Sequence, residues 1–360
     1  MSVHQVMLTQ SSKPWFPPPQ LGVSRETSAG RLSFIVTTNT TDFTEQNTEF
    51  TEHHSYLFYV KVILIFVIMV CTTLGNLLNI AVTLKTRSLR TPSGNFIISL
   101  ATADLMVGIL VTFSFVSSIQ DKWAFSDSVC KAVGFIFFYA TSLSMWNLLV
   151  LTIDRWVSVT RPMKYVSWMT NRTSYKIIGL VWLGVLLIDF PMLLPGVGDV
   201  YYIEGAFLCS PNWRVNLIYT FLLVAVHLLP SFILVLAFNL RLYCISRKHV
   251  KEMELLQIQS QTAVKPSSIK PKLVITTIVM AFEISWMPFL VAEIIRLFSP
   301  SSISVPVSFI VSWVAVSNSL MNSVIYTCLN RKFRHGIVTL FRCKDIGTAE
   351  LTGYVDSNFV

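Results

Sequence analysis

Charge is scarce in this chain. Of its 360 residues only 13% are Asp, Glu, Lys or Arg, while 53% are hydrophobic. A soluble protein of this size carries roughly a quarter charged residues. Acids are scarcer than bases, 19 against 28. Six cysteines are too few for a disulfide scaffold. No hydrolase triad, metal-ligand cluster or glycine-rich phosphate loop stands out, so the chain is not expected to be an enzyme. No internal repeat or pair of broken helices is visible, which leaves a transporter as a remote alternative.

Long apolar runs are what the chain has instead. Spans of about 20–25 residues, the length that crosses a bilayer, centre near Val60–Leu84, Gly94–Phe115, Lys131–Val157, Tyr175–Leu194, Asn216–Leu242, Leu273–Phe298 and Val305–Cys328. The expected fold is all-α, a seven-transmembrane helix bundle with no room for a second domain. Residues 1–56 are polar and rich in Thr, Ser and Pro, and are expected to be disordered. Residues 57–329 form the bundle, 330–342 a juxtamembrane helix and 343–360 a tail.

Basic residues set the orientation. Lys85, Arg87, Arg90, Arg161, Lys164, Arg172, Arg247, Lys248, Lys251, Lys265, Lys270, Lys272, Arg331, Lys332 and Arg334 fall on one side, and Asp121, Asp127, Asp199 and Glu204 on the other. The positive-inside rule puts the N-terminus outside and the C-terminus in the cytosol of a multi-pass plasma-membrane protein. The net charge of +9 then faces anionic lipid rather than nucleic acid. No basic-then-apolar leader precedes the first span, which is expected to act as an uncleaved insertion signal. Asn39-Thr40-Thr41 is a glycosylation acceptor on the outer side; Asn171-Arg172-Thr173 also fits the pattern but falls inside. Only Cys130 and Cys209 lie outside, where oxidation is permitted, and they are expected to pair. Cys71 and Cys328 read as packing residues within spans. Cys343, after a basic stretch, is a candidate for palmitoylation or a free thiol, and Cys244 is similarly open.

Polar residues inside the spans are few. The first has Gly75-Asn76-Leu77-Leu78-Asn79, the second Leu100-Ala101-Thr102-Ala103-Asp104-Leu105, and the third ends in Asp154-Arg155-Trp156, twenty-five residues after Cys130. That spacing is about 37 Å of helix, a full crossing. The fourth has Trp182 and Pro191 and the fifth Pro230. The sixth has Phe282 to Pro288 around Trp286, and the seventh runs from Asn318 through Asn322 and Ser323 to Tyr326. Beyond it, apolar residues at 333, 337, 340 and 341 suit a helix lying on the inner leaflet. With a marker in every span, residues from about Tyr59 to Phe341 resemble a class A, rhodopsin-like G-protein-coupled receptor.

The resemblance implies roles. Asp104, an acid near the midplane and costly unless paired or hydrated, would hold an allosteric sodium ion with Ser144, Asn318 and Asn322. Otherwise it is a protonated or water-linked aspartate tying helices together. No other cofactor is implied. Arg155 would carry coupling to a heterotrimeric G protein, held at rest by Asp154, with Trp156 against the second inner loop and Tyr326 in the same set. An arrestin is a further candidate partner. Many relatives restrain that arginine with an acid at the base of the sixth span; here Lys265 to Lys272 contains none and Ser268 takes the position, so basal activity is expected. Ser323 replaces a proline, Phe238 a tyrosine and Ser285 a cysteine, which leaves a non-signalling or heteromer-dependent protein as the alternative. Met145, Pro230 and Phe282 match a packing triad beneath Trp286.

The sequence is most similar to the amine-receptor branch, yet Phe137 stands where that branch has its ligand-pairing aspartate. Leu222, Leu223 and Val226 replace its hydroxyls, and Val316 stands where a retinal pigment has its lysine. The expected pocket is mostly apolar, from Phe137, Phe138, Thr141, Trp286, Phe289, Leu290, Ser312 and Trp313. His227, Glu293, Arg296 and Asp189 are its few polar handles. It suits a small or lipid-like ligand. Glu293 either meets a cationic ligand or pairs with Arg296; Asp189 is expected to face neighbouring helices.

Overall fold

A computed structural model describes residues 40–260, 286–299, 302–329 and 331–341, without the side chains of 40–55 and of a few helix-end residues. Met1–Phe58 and Tyr59–Val360 form separate units, and the account below concerns the second. Among the described residues six helices are long and apolar enough to cross a membrane: Tyr56–Lys85, Pro92–Ile119, Asp127–Thr160, Asn171–Leu193, Leu217–Ile245 and Val305–Thr327. The sixth expected span is described only at 286–298, which is helical.

Helix starts follow from capping chemistry. Thr91 Oγ1 accepts from Gly94 N at 3.2 Å with Pro92 next to it, Thr170 accepts from Thr173 N at 3.2 Å, and Asn216 accepts from Tyr219 N at 3.0 Å. Each cap satisfies an N–H that the first turn leaves orphaned. The caps Thr91 and Thr170 put the second and fourth spans a few residues ahead of their apolar runs. The first helix runs Thr40–Lys85, so the part of 1–56 from Thr40 on is helical rather than disordered. Residues 1–39, with Asn39, lie outside the described residues, as do Ser268, Phe282, Ser285 and Cys343.

The fifth span is not a uniform α-helix. Residues Leu217–Leu223 are α-helical, Val224–Leu228 form a π turn, and a further α-helix runs Leu229–Ser260. Pro230 supplies no N–H, so its helix must leave one carbonyl unpaired. Ser231 Oγ covers the turn by donating to the carbonyls of His227 and Leu228 at 3.0 and 2.8 Å.

Small residues bring the spans together, as expected where lipid offers no hydrophobic drive. A Cβ on Gly108 would lie 2.7 Å from Thr73 Oγ1, and one on Gly75 2.9 Å from Ser323 Cβ. Trp182 Nε1 donates to Ser99 Oγ at 2.9 Å, pinning the fourth span to the second. Large apolar side chains such as Ile63, Leu180 and Ile218 remain exposed, on faces suited to lipid. Cys71 is exposed too, and so is not the packing residue expected.

With Ser323 in place of the proline of related receptors, a backbone N–H returns and a softer bend is implied at that point of the seventh span. The helix is instead interrupted at Ser317, between Val305–Val316 and Asn318–Leu329. Ser323 has another use: its Oγ accepts from Asn79 Nδ2 at 3.0 Å, while Asn76 Nδ2 donates to the Ser319 carbonyl at 3.0 Å. Past this span, the helix Arg331–Phe341 docks through Phe333, which is fully buried with its ring 6.3 Å from that of Tyr326.

Among the described residues the bundle carries one departure from all-α. Between the fourth and fifth spans, β1 (Val200–Ile203) and β2 (Leu208–Pro211) form an antiparallel hairpin with Ile203 opposite Leu208. Its turn uses left-handed backbone at Gly205 and Phe207. Cys209 in β2 is disulfide-bonded to Cys130 at the start of the third span, Cα–Cα 5.6 Å.

Candidate functional site

Three polar centres lie along the third span. At its Arg155 end, Asp154 is buried, and its two oxygens accept from Ser93 Oγ at 2.6 Å and Tyr165 Oη at 2.9 Å. Tyr165 sits on the short helix Pro162–Trp168; burial, helped by the adjacent Asp154 carboxylate, pushes its hydroxyl up to about 12, so it stays a donor. This corrects the expected Asp154–Arg155 lock: no ion pair joins them among the described residues. Arg155 lies instead beside the hydroxyl of the buried Tyr326. Trp156 packs on the fifth span, its ring 5.2 Å from Phe238. The expected coupling residues Arg155 and Tyr326 are thus brought together, with Ser93 and Tyr165 as partners that sequence spacing does not reveal.

At the middle, Asp104 is fully buried. Ser144 Oγ donates to its Oδ1 and Asn322 Nδ2 to its Oδ2, both at 2.8 Å. Ser319, outside the expected set, also reaches the carboxylate. Asn318 is buried in the same stretch of the seventh span. The carboxylate is thereby tied to the third and seventh spans, and Ser231 Oγ lies 2.9 Å from Met145 Sδ where the fifth span meets the third.

At the Cys130 end the expected pocket is filled from within. Ser312 and Trp313 are buried, and Phe137 packs against a cluster holding Val107, Val111, Ala140, Phe207, Leu208, Phe309 and Trp313. Phe207 and Leu208 come from the hairpin. Phe138 is turned to Trp213, rings 5.5 Å apart. Thr141 Oγ1 donates to the Phe137 carbonyl at 2.8 Å within its own helix. Trp286, expected in this pocket, packs instead against the cluster that holds Leu148, Leu151 and Tyr326; it meets Phe289 edge to face at 5.8 Å, and Leu290 is half-buried. Of the alternatives for Glu293, the structure takes the intramolecular one: Arg296 pairs with it and also donates to Ser308 Oγ. A cavity of about 350 Å³ lies further out, lined among others by Tyr201, Trp213, Arg214, Glu293, Arg296 and Ser308.

His227 is not a pocket residue. It is fully buried toward the third and fourth spans, where its Nδ1 accepts from Trp146 Nε1 at 3.0 Å and its Nε2 lies 3.6 Å from Asp189 Oδ1. Indole N–H is a donor only, so this imidazole keeps its proton on Nε2, facing Asp189. The π turn at Val224–Leu228 rotates His227 away from the direction a regular helix gives it. Asp189 faces neighbouring helices, as expected.

A family profile described as "7 transmembrane receptor (rhodopsin family)" matches residues 75–326. The Tachykinin-like peptides receptor 99D of Drosophila melanogaster is 27% identical over 292 residues, covering 76% of this chain and 55% of that receptor. Trace amine-associated receptor 7d of Mus musculus is 28% identical over 285 residues, covering 75% of this chain and 78% of its own length. In three dimensions squid rhodopsin superposes with a TM-score of 0.65 at 21% identity, covering 79% of this chain and 85% of the rhodopsin. With a marker in each described span and the match extending over most of the bundle, this chain belongs to the rhodopsin family of seven-transmembrane, G-protein-coupled receptors, signalling proteins and not enzymes.

Proposed function

We propose that the receptor lies in the plasma membrane with its Cys130 end extracellular, and that its Arg155 end catalyses nucleotide exchange on a heterotrimeric G protein. One observation carries the reading: Asp154 is occupied by Ser93 and Tyr165, which leaves the Arg155 guanidinium beside Tyr326 at the basic end of the bundle. A charge at a helix mouth without its neighbour as counter-ion is poised for a partner outside the chain. Anionic inner-leaflet lipid suits the surrounding bases, and the same face would serve an arrestin.

Asp104, Ser144, Asn318 and Asn322 fit a sodium ion in their chemistry, because a fully buried carboxylate is costly without a counter-charge. The ion would supply that charge; the residues hold the second, third and seventh spans around it. Phe137 disfavours an amine ligand. The cavity of about 350 Å³ presents Glu293, Arg296, Arg214 and three aromatic rings, which suits a small ligand with polar groups better than the lipid-like one that the apolar residues alone imply.

Purified receptor in vesicles with each G-protein subtype tests the reading. Wild type accelerates release of bound GDP from at least one subtype, and Arg155→Ala does not. Equal rates for the two proteins would remove Arg155 from this role.

A further inference from the structure

Connections between helices usually run over the surface, because their backbone polar groups need water. The tip of the β1–β2 hairpin does not. Ala206 is fully buried, and Phe207 and Leu208 are 2% and 8% exposed. The buried carbonyl of Ala206 is paired: Trp313 Nε1 donates to it at 3.0 Å. The ring of Phe207 meets Phe309 edge to face at 6.5 Å and belongs to the cluster that holds Trp313, with Phe137 against it. Phe207 has φ +57°, a left-handed backbone that a bulky residue adopts only where its surroundings hold it.

The anchor is covalent and close. Leu208 is followed by Cys209, bonded to Cys130, and Gly134, one helical turn beyond Cys130, leaves space for that strand. A Cβ there would lie 3.0 Å from the Cys209 carbonyl. The segment therefore reaches the place where Phe137, Ser312 and Trp313 were expected to receive a ligand, and it fills that place with an aromatic side chain and a carbonyl acceptor.

We propose that Glu204–Leu208 is the receptor's own tethered ligand, with Phe207 and the Ala206 carbonyl occupying the pocket of the bundle and supporting nucleotide exchange without any added ligand. The proposal rests on the receptor reading above. A tethered group acts at a fixed, high effective concentration and does not wash out. It biases signalling only through contacts that differ between states. The direction is read from the opposite end of the third span: with the tip seated, Asp154 bonds Ser93 and Tyr165, and Arg155 sits beside Tyr326 rather than locked by its neighbour. A diffusible ligand in the outer cavity would touch Tyr201, Tyr202 and Glu204 of the same hairpin, and would act by shifting this tip.

The test uses full-length receptor in vesicles, with exchange measured without ligand and normalised to protein carrying the Cys130–Cys209 disulfide. Phe207→Ala lowers exchange by about five-fold or more, the lower end of ordinary coupling between sites. Phe207→Leu keeps most of it. Benzene, which enters apolar cavities left by truncated side chains, restores exchange to Phe207→Ala and leaves wild type unchanged. Should Phe207→Ala not fold, Trp313→Phe removes the donor to Ala206 while keeping a ring, and exchange again falls. Folded Phe207→Ala or Trp313→Phe with exchange at or above wild type overturns the proposal, and so does failure of benzene to rescue. Wild-type exchange no faster than that in receptor-free vesicles overturns the tethered ligand, while tight binding of a nucleotide-free heterotrimer by the same protein spares the receptor reading. Exchange that survives Arg155→Ala removes Arg155 from the coupling role and leaves the tethered ligand to be decided by the Phe207 and Trp313 variants.

Discussion

Replacing Gly75 by alanine probes how the first span seats against the seventh. The added methyl would lie 2.9 Å from Ser323 Cβ and 3.1 Å from Ser323 Oγ, closer than packed carbons tolerate. Neither neighbour is the far end of a flexible side chain, so the helices must separate by some tenths of an ångström. That strains the Asn79 to Ser323 hydrogen bond of 3.0 Å and the Asn76 to Ser319 bond of the same length. Overpacking of this kind costs about 1–3 kcal/mol. Ser323→Gly alone loses one hydrogen bond, about 0.5–1.5 kcal/mol, and adds a helix-interior glycine, about 1 kcal/mol. The double variant removes the clash, so its destabilisation should be smaller than the sum by about 1 kcal/mol or more. Thermal unfolding of the four proteins in one detergent, followed by tryptophan fluorescence, gives the coupling. Strict additivity, or a neutral Gly75→Ala, would show that these two residues do not meet as described.

Three further outcomes follow from other sites. Sodium should raise the thermal stability of wild type more than an equal concentration of a large organic cation, and Asp104→Asn should abolish the difference; a persisting difference would place the ion elsewhere. Lys131, 2.9 Å from Asp199, holds that carboxyl below its usual 3.8, so the pair stabilises at neutral pH and is lost as pH falls below about 4. Both side chains are half exposed, so solvent screens the pair and its effect stays small and local. Hydrogen exchange over residues 200–211 should therefore be faster in Asp199→Asn than in wild type at pH 7, with the two converging as pH falls through the lowered pKa of the Asp199 carboxyl. Ser268→Glu should lower ligand-free exchange by returning an acid to a base that otherwise carries Lys265, Lys270 and Lys272; no drop would mean that the missing restraint does not set basal activity.

Residues whose roles depend on composition and spacing along one helix were legible in the sequence. The spans, the Cys130–Cys209 bond and the approach of Ser144 and Asn322 to Asp104 could all be placed from apolar length, redox side and the family pattern. Contacts across helices were not. Ser93 and Tyr165 lie 61 and 11 residues from Asp154, and no spacing rule points to either. His227 was assigned to the pocket as one of the few polar residues there, whereas it is buried within a π turn, toward Trp146 and Asp189. The hairpin did carry a signal: Val200-Tyr201-Tyr202-Ile203 is β-prone, and Glu204-Gly205 is followed by the apolar Leu208-Cys209. A short strand between two transmembrane spans was passed over because the spans dominate the pattern. Phe207 is the costliest omission, since a loop aromatic in a sequence gives no hint of being buried against Trp313.

The most direct measurement is the affinity of a nucleotide-free heterotrimer for the receptor in lipid nanodiscs, wild type beside Arg155→Ala, both with the Cys130–Cys209 bond intact. A coupling receptor holds the empty G protein tightly, releases it when GTP is added, and loses that complex when Arg155 is truncated. Tight, GTP-sensitive binding by Arg155→Ala, or no complex between wild type and any subtype, would contradict the account.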